Sequence, residues 1–265
     1  MGGMSISPEA SVEQNGVPAQ RGPDRRPADR ATRMLPLVRE ASERLDLIVA
    51  GLDEFAAHQP SRLPGWSRAH VVTHLARNAD ALVNLMTWAR TGVEHPMYAS
   101  RADRDADIDE GSHRLAQVLQ EDLRAARDRF MVAATELPAQ AWAATVAGRM
   151  QGPIPASNIP GMRLHEVWIH LVDLDAGFTF GDVPAHHLEQ LVAEAVAPHV
   201  GRPEWPTVHL VAELPDGRER EWRLGGHGDR THEVTGAASD VLAWVTGRAD
   251  GTALRGEVPE LPAWG

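Results

Sequence analysis

Apolar residues return at helical spacing through most of the first two hundred positions. Between Asp29 and Ala57, Met34, Leu35, Val38, Leu45, Leu47, Ile48 and Leu52 recur with charges between them and predict a first long helix. LPGWSRAHVVTHLARNADALVNLMTWARTG opens on a Pro-Gly turn, offers Ser67 as N-cap and ends at Gly92, a residue suited to a left-handed stop. It predicts a second helix. The charged stretch RADRDADIDEGSHRLAQVLQEDLRAARDRFMVAATEL reads as a third, amphipathic helix up to Leu137. Gly and Pro then crowd GRMQGPIPASNIPG, which predicts a loop leading into LHEVWIHLVDL, the fourth helix. A fifth runs from Pro184 to His199.

The pattern then changes. TVHLVAEL and REREWRL flank Asp216-Gly217, a dipeptide suited to a tight primed turn, so they predict a hairpin. HEVTG reads as another strand, SDVLAWVTG as a helix closed by Gly247, and LRGEV as a last strand. The expectation is a mainly α chain, with an antiparallel helix bundle over residues 28–200 and a small α+β domain over 201–265. Residues 1–27, rich in Gly, Pro, Gln and Ser, read as a flexible tail because they have too few apolar side chains to offset the entropy of ordering.

Composition narrows the function classes. With 265 residues, 43% of them hydrophobic, the chain can bury a proper core. Acids outnumber bases 37 to 26, a net charge of -11, which argues against a nucleic-acid partner because phosphate contacts need clustered Lys and Arg. No run approaches the apolar length of a membrane span and the N-terminus lacks a signal-peptide pattern, so no membrane partner is expected and the cytoplasm is the default location. There is no Cys, which excludes disulfides, thiolate ligands and a cysteine nucleophile. Thiol chemistry here would need a thiol from outside. No phosphate-binding glycine loop and no serine nucleophile elbow is present.

The chemistry that remains centres on the fourth helix. Glu166 and His170 are four residues apart and share a helix face, a spacing that suits two ligands of one metal. Five such acid–His pairs occur, the others being Glu54/His58, Asp109/His113, Asp182/His186 and His209/Glu213, against roughly three or four expected by chance, so spacing alone decides little. The setting separates them. Leu164, Val167, Trp168, Ile169, Leu171 and Val172 surround the Glu166/His170 pair, and a buried carboxylate needs a cation or several hydrogen bonds. The other four pairs lie in polar sequence and read as solvated. On the second helix, His74 sits among Val71, Val72, Leu75 and Leu82, with His70 one turn earlier as a competitor for a third ligand. A His, Glu, His set with an open fourth position is the pattern of catalytic zinc. A Glu–His salt bridge beside a satisfied core histidine is the plain alternative.

GWSRAHVVTHLARNADALVNLMTWARTGVEHPMYAS, QGPIPASNIPGMRLHEVWIHLVDLDAGFTFGDVP, TGRADG and GEVPELPAW, in this order, resemble the mycothiol-dependent maleylpyruvate isomerases of actinobacteria, in the DinB-like metalloenzyme superfamily. The resemblance runs from about Leu35 onward and is poor in the hairpin region. It implies a DinB-like four-helix bundle followed by a sterol-carrier-like α+β domain, one Zn2+ per chain on His74, Glu166 and His170, and Arg248 as an arginine needed for activity. His70 is then left to helix packing or to orienting a ligand. Arg163, Asn78, Tyr98 and Arg104 lie in matching segments, where packing or capping explains each equally well.

The implied reaction turns maleylpyruvate, a cis dicarboxylate, into trans fumarylpyruvate with mycothiol as the low-molecular-weight thiol. Zinc would bind the thiol as thiolate, and Arg248 would hold a substrate carboxylate or the enolate formed on addition. Rival readings are a mycothiol S-transferase on the same scaffold, a non-catalytic zinc or thiol sensor, and a metal-free binding bundle.

Overall fold

The computed structural model describes residues 26–148, 152–226 and 230–262. The tail expected over residues 1–27 lies outside the described residues, except that its last two open the first helix. Helix α1 (Arg26–Ala50) stops at Gly51 rather than running on to Ala57; Asp53 then caps the one-turn helix α2 (Glu54–Ala57) by accepting from the Ala56 amide. Helix α3 (Arg68–Thr91) has the ends expected of it. Ser67 and His70 form a reciprocal cap, and Gly92 takes the left-handed conformation at φ 72°.

The third helix is a correction. It is two helices, α4 (Arg101–Ser112) and α5 (Ala116–Glu136). The cause is tertiary. Gly111 lies so close to α3 that a Cβ there would stand 2.4 Å from the Thr73 methyl. The start of α5 has no capping side chain of its own; Glu54 supplies it, accepting from the Ala116 amide at 2.7 Å across 62 residues of sequence. α4 therefore lies over α3 while α5 enters the bundle.

The Gly- and Pro-rich stretch is only partly a loop. Strands β1 (Thr145–Gly148) and β2 (Gly152–Pro155) pair antiparallel, with Val146 opposite Ile154 and both buried, and residues 149–151 lie outside the described residues. A two-stranded ribbon tolerates Pro153 and Pro155 because each strand has an unpaired edge. Helix α6 (Ile159–Asp173) follows, starting with Pro160 in its first turn. In the bundle α1 packs on α5 and α6, and α3 packs on the same two, so α1 and α3 are diagonal partners.

Helix α7 (Ala185–Val196) packs against α6 on one side and against helix α8 (Ala238–Val245) and the sheet on the other. The sheet runs β4-β3-β5-β6, with β3 (Val208–Glu213) antiparallel to β4 (Glu219–Leu224) and parallel to β5 (His232–Ala237), and β6 (Arg255–Gly256) at the edge. Val208, Leu210 and Ala212 alternate inward along β3, as one buried face requires. The turn after β3 is a second correction. Three residues, Pro215 to Gly217, form it: the Gly217 amide donates to Leu214 O and the Leu214 amide to Arg218 O, with Gly217 at φ 82°. Pro215 has its φ fixed negative, so the chain takes a type I turn with a glycine bulge rather than a primed turn. One hydrophobic core continues from the bundle through α7 and α8 into the sheet.

Candidate metal centre and cleft

Helices α3 and α6 run side by side, and side chains lock their ends together. Arg68, in the first turn of α3, donates to Leu174 O at 2.8 Å and to Asp175 O at 2.7 Å, satisfying carbonyls just past the end of α6. Arg163, fully buried on α6, donates to Leu75 O at 2.8 Å and to Asn78 Oδ1 at 2.9 Å on α3. Burial lowers the Arg163 pKa to about 10, so it remains charged at neutral pH. Arg163 and Asn78 thus join the two helices.

Between these ties three donor atoms converge. His74 Nε2 lies 2.9 Å from Glu166 Oε2 and 3.1 Å from His170 Nε2, and His170 Nε2 lies 3.4 Å from Glu166 Oε2. All three side chains expected as ligands are brought together. His74 is buried, while Glu166 and His170 are reached from a cleft. Two imidazole nitrogens facing each other at 3.1 Å, with a carboxylate oxygen closing the triangle, fit a cation better than a hydrogen-bond network, since one proton at most can lie between the rings. The nitrogen and oxygen donors, with no Cys in the chain, suit zinc.

Charge at the site is set by burial and by these contacts. Burial holds the His74 pKa down at about 4, helped by His170 and Arg104 and opposed by Glu166. Burial also works against charge on His170, but hydrogen bonds to Asp173 and Glu166 outweigh it and raise its pKa. Glu166 is held well below the carboxylate range: burial opposes this, and hydrogen bonds to both histidines overcome it. A neutral His and an ionised Glu are the forms that bind a metal.

Asp173 was not among the expected site residues. It is completely buried; its Oδ2 accepts from His170 Nδ1 at 2.9 Å, which fixes the ring so that Nε2 faces the centre. Its spacing of three from His170 on one helix is the signal that could have found it. Asp173 also explains Arg248, whose Nε and Nη2 donate to the two Asp173 oxygens at 3.1 and 2.7 Å while Nη1 donates to Thr246 O. Arg248 thus reaches the bundle as expected, and the carboxylate it holds bidentately belongs to the protein. It still lines the cleft, with two of its five N–H donors left over.

The remaining expectations separate cleanly. His70 completes the α3 cap, with the Ser67 amide donating to its Nδ1 at 3.2 Å, and its Nε2 meets Ser112 at 3.2 Å; it touches none of the ligands. Arg104 lies on α4 with its guanidinium 5.8 Å from the Tyr98 ring and donates to His74 Nδ1 at 3.3 Å. Of the pairs read as solvated, Glu54 meets His58 at 3.1 Å while also capping α5. His113 turns to the Asp109 carbonyl, His209 to Glu233 and Glu221, and His186 to Glu40 rather than Asp182.

The cleft, about 1270 Å³, lies between the open end of the bundle and two C-terminal segments, residues 244–250 and 258–262. His74, Glu166 and His170 form its floor, and Arg104 and Arg248 contribute cations to its walls. Among the described residues no helix is long and apolar enough to cross a membrane.

Comparison with known proteins gives the family. Residues 38–175 match the family described as mycothiol maleylpyruvate isomerase N-terminal domain. Crystal structures of the mycothiol-dependent maleylpyruvate isomerase and of a histidine-to-alanine mutant of it superpose with a TM-score of 0.76 at 32% identity, covering 88% of this chain and 97% of theirs. An uncharacterized protein of Mycobacterium tuberculosis, in strains CDC 1551 and H37Rv, is 26% identical over 225 residues, 80% of this chain and 83% of its own. A family match over more than half of the chain, and 32% identity to these isomerases over nearly their whole length, place the protein in the mycothiol-dependent maleylpyruvate isomerase family.

Proposed function

We propose that this chain, acting in the cytoplasm, isomerises maleylpyruvate to fumarylpyruvate with mycothiol as its thiol and one zinc ion held by His74, Glu166 and His170. The observation that carries the reading is the convergence of those three donors within 3.4 Å on the floor of a cleft walled by arginines. A carbon–carbon double bond does not rotate, so the reaction must lower its order for a moment. The thiol sulfur bonds to one alkene carbon while the π pair moves through the conjugated carbon to the carbonyl oxygen. The resulting single bond turns. The pair then returns, the carbon–sulfur bond breaks, and the trans alkene leaves with the thiol regenerated. Zinc supplies a Lewis-acidic position at which a thiol gives up its proton near neutral pH.

The chain's own groups prepare that position. His170 offers Nε2 because its Nδ1–H is committed to Asp173. His74 accepts from Arg104 at Nδ1 when its proton is on Nε2; if Nε2 held a metal, the proton would sit on Nδ1 and Arg104 would be free to face the cleft. Arg104 and the two spare donors of Arg248 then serve the substrate carboxylates and the enolate oxygen, an electrostatic contribution that is largest where water is excluded.

The test is conversion of maleylpyruvate, followed by absorbance on protein of measured zinc content, with and without mycothiol, for wild type and His74→Ala. Isomerisation that needs both the thiol and His74 and consumes no thiol is the expected result. Thiol consumption with an electrophile and no isomer would make the protein an S-transferase. Bound zinc with no turnover of any thiol would make it a sensor.

A further inference from the structure

A second cluster of ligand-type side chains lies where α1 meets the start of α7. His186 Nε2 stands 2.8 Å and His187 Nε2 3.1 Å from the same Glu40 oxygen, and the two rings lie 4.4 Å apart. His187 is fully buried, packed edge-on against Trp168 at 5.1 Å. Neither of its ring nitrogens has a hydrogen-bond partner: Nε2 is close to Glu40, yet the ring is not aligned to donate to it. A buried imidazole normally satisfies at least one nitrogen. Here the unsatisfied edge faces a carboxylate and a second imidazole.

We infer that Glu40, His186 and His187 form a second divalent-metal site, selective for zinc-like ions, that clips α1 to α7. Two imidazoles and one carboxylate are a recurrent three-ligand set for zinc, with the fourth position left to water. Donors at about 2.0–2.1 Å from one tetrahedral ion stand roughly 3.3 Å apart, so the distances of 2.8 and 3.1 Å need little side-chain adjustment. Burial lowers the His187 pKa despite Glu40, which keeps this ring in the neutral, ligating form. Packing on Trp168 also fixes its orientation before any ion arrives. Trp168 is two residues from each of Glu166 and His170, so the site lies behind α6, away from the cleft. Its role is structural: α7 leads into the sheet, and the clip would fasten it to the bundle.

The test is zinc stoichiometry by elemental analysis after loading the full chain with zinc and removing excess by gel filtration, with melting temperature followed in parallel. His186 and Glu40 are exposed, so His186→Ala and Glu40→Gln should fold, checked by far-ultraviolet circular dichroism. The inference expects each variant to retain one zinc fewer than wild type and to lose part of the zinc-induced rise in melting temperature. In a His74→Ala background, a zinc-induced rise should persist and then vanish on adding His186→Ala. This arm reads the second site whether or not the cleft centre binds zinc. Equal zinc content in wild type, His186→Ala and Glu40→Gln would overturn the inference and leave only a surface ion pair.

Discussion

Asp173 shares one carboxylate between His170 on its own helix and Arg248 from the C-terminal part of the chain. Burial opposes its charge, but the hydrogen bonds to His170 and Arg248 hold its pKa below the usual value. Asp173→Asn keeps the shape but removes the charge and turns one acceptor oxygen into an NH2 donor, so it cannot accept from both His170 and the Arg248 fork, and the bond that orients His170 weakens. We expect zinc affinity to fall by roughly 10- to 100-fold, the usual effect of losing such a partner, measured by competition with a chromophoric chelator. Unchanged affinity would mean that packing alone orients His170. The histidines also set a pH dependence. His74 and His165, each held by burial at about 4 when folded, take up protons near 6.5 when unfolded. Stability should therefore fall as pH drops from 6.5 toward 4, where the unfolded chain binds more protons. His170 has the opposite sign: its raised pKa contributes stability below 6.5 that is lost as pH rises through the folded value. His187 and His199 are also depressed by burial, and His209 is raised by Glu233 and Glu221. With four histidines depressed against two raised, the melting temperature of chelator-treated protein should decrease between pH 6.5 and 4. A flat profile would contradict the buried neutral state of His74 and His165.

At the scale of elements, the ends of helices are set as often by distant residues as by local ones. α3 carries its own cap and stop, and its sequence announces both. α5 borrows its cap from Glu54, because Leu115 at its start offers no capping side chain. Glu54→Ala should therefore destabilise the protein by about 1 kcal/mol, the usual worth of an N-cap. Thermal unfolding would register this as a drop of roughly 2–4 °C for a protein of this size. No shift would show that water replaces the carboxylate at no cost.

For the whole molecule, the Arg248–Asp173 pair joins the C-terminal part to the bundle at the floor of the cleft, with Asp173 fully buried and Arg248 nearly so. Removing one partner of such a pair strands a buried charge. Arg248→Ala should cost about 3 kcal/mol or more in urea unfolding. Arg248→Lys should recover little of it, because an ammonium cannot hold both carboxylate oxygens in one plane. Full recovery by Lys would mean that charge alone, not the fork of donors, links the two parts.

The helical period, the Ser67 and Gly92 signals and the alternation along β3 are local, so the mainly α architecture with its α+β ending was legible from the order of residues. So were His74, Glu166 and His170, because a carboxylate and histidines inside apolar helix faces need a reason to be there, and the family resemblance supplied it. Three things were decided only in the folded molecule, each by residues far apart in sequence. The third helix breaks in two because Thr73 and Glu54 meet its middle. Arg248 closes on Asp173 across 75 residues, which leaves two of its donors toward the cleft. Glu40 gathers two histidines 146 and 147 positions away, one of which a local reading pairs with Asp182. A hydrogen-bond acceptor is chosen by distance in space, and only the packing of α1, α3 and α6 with the elements around them sets that distance.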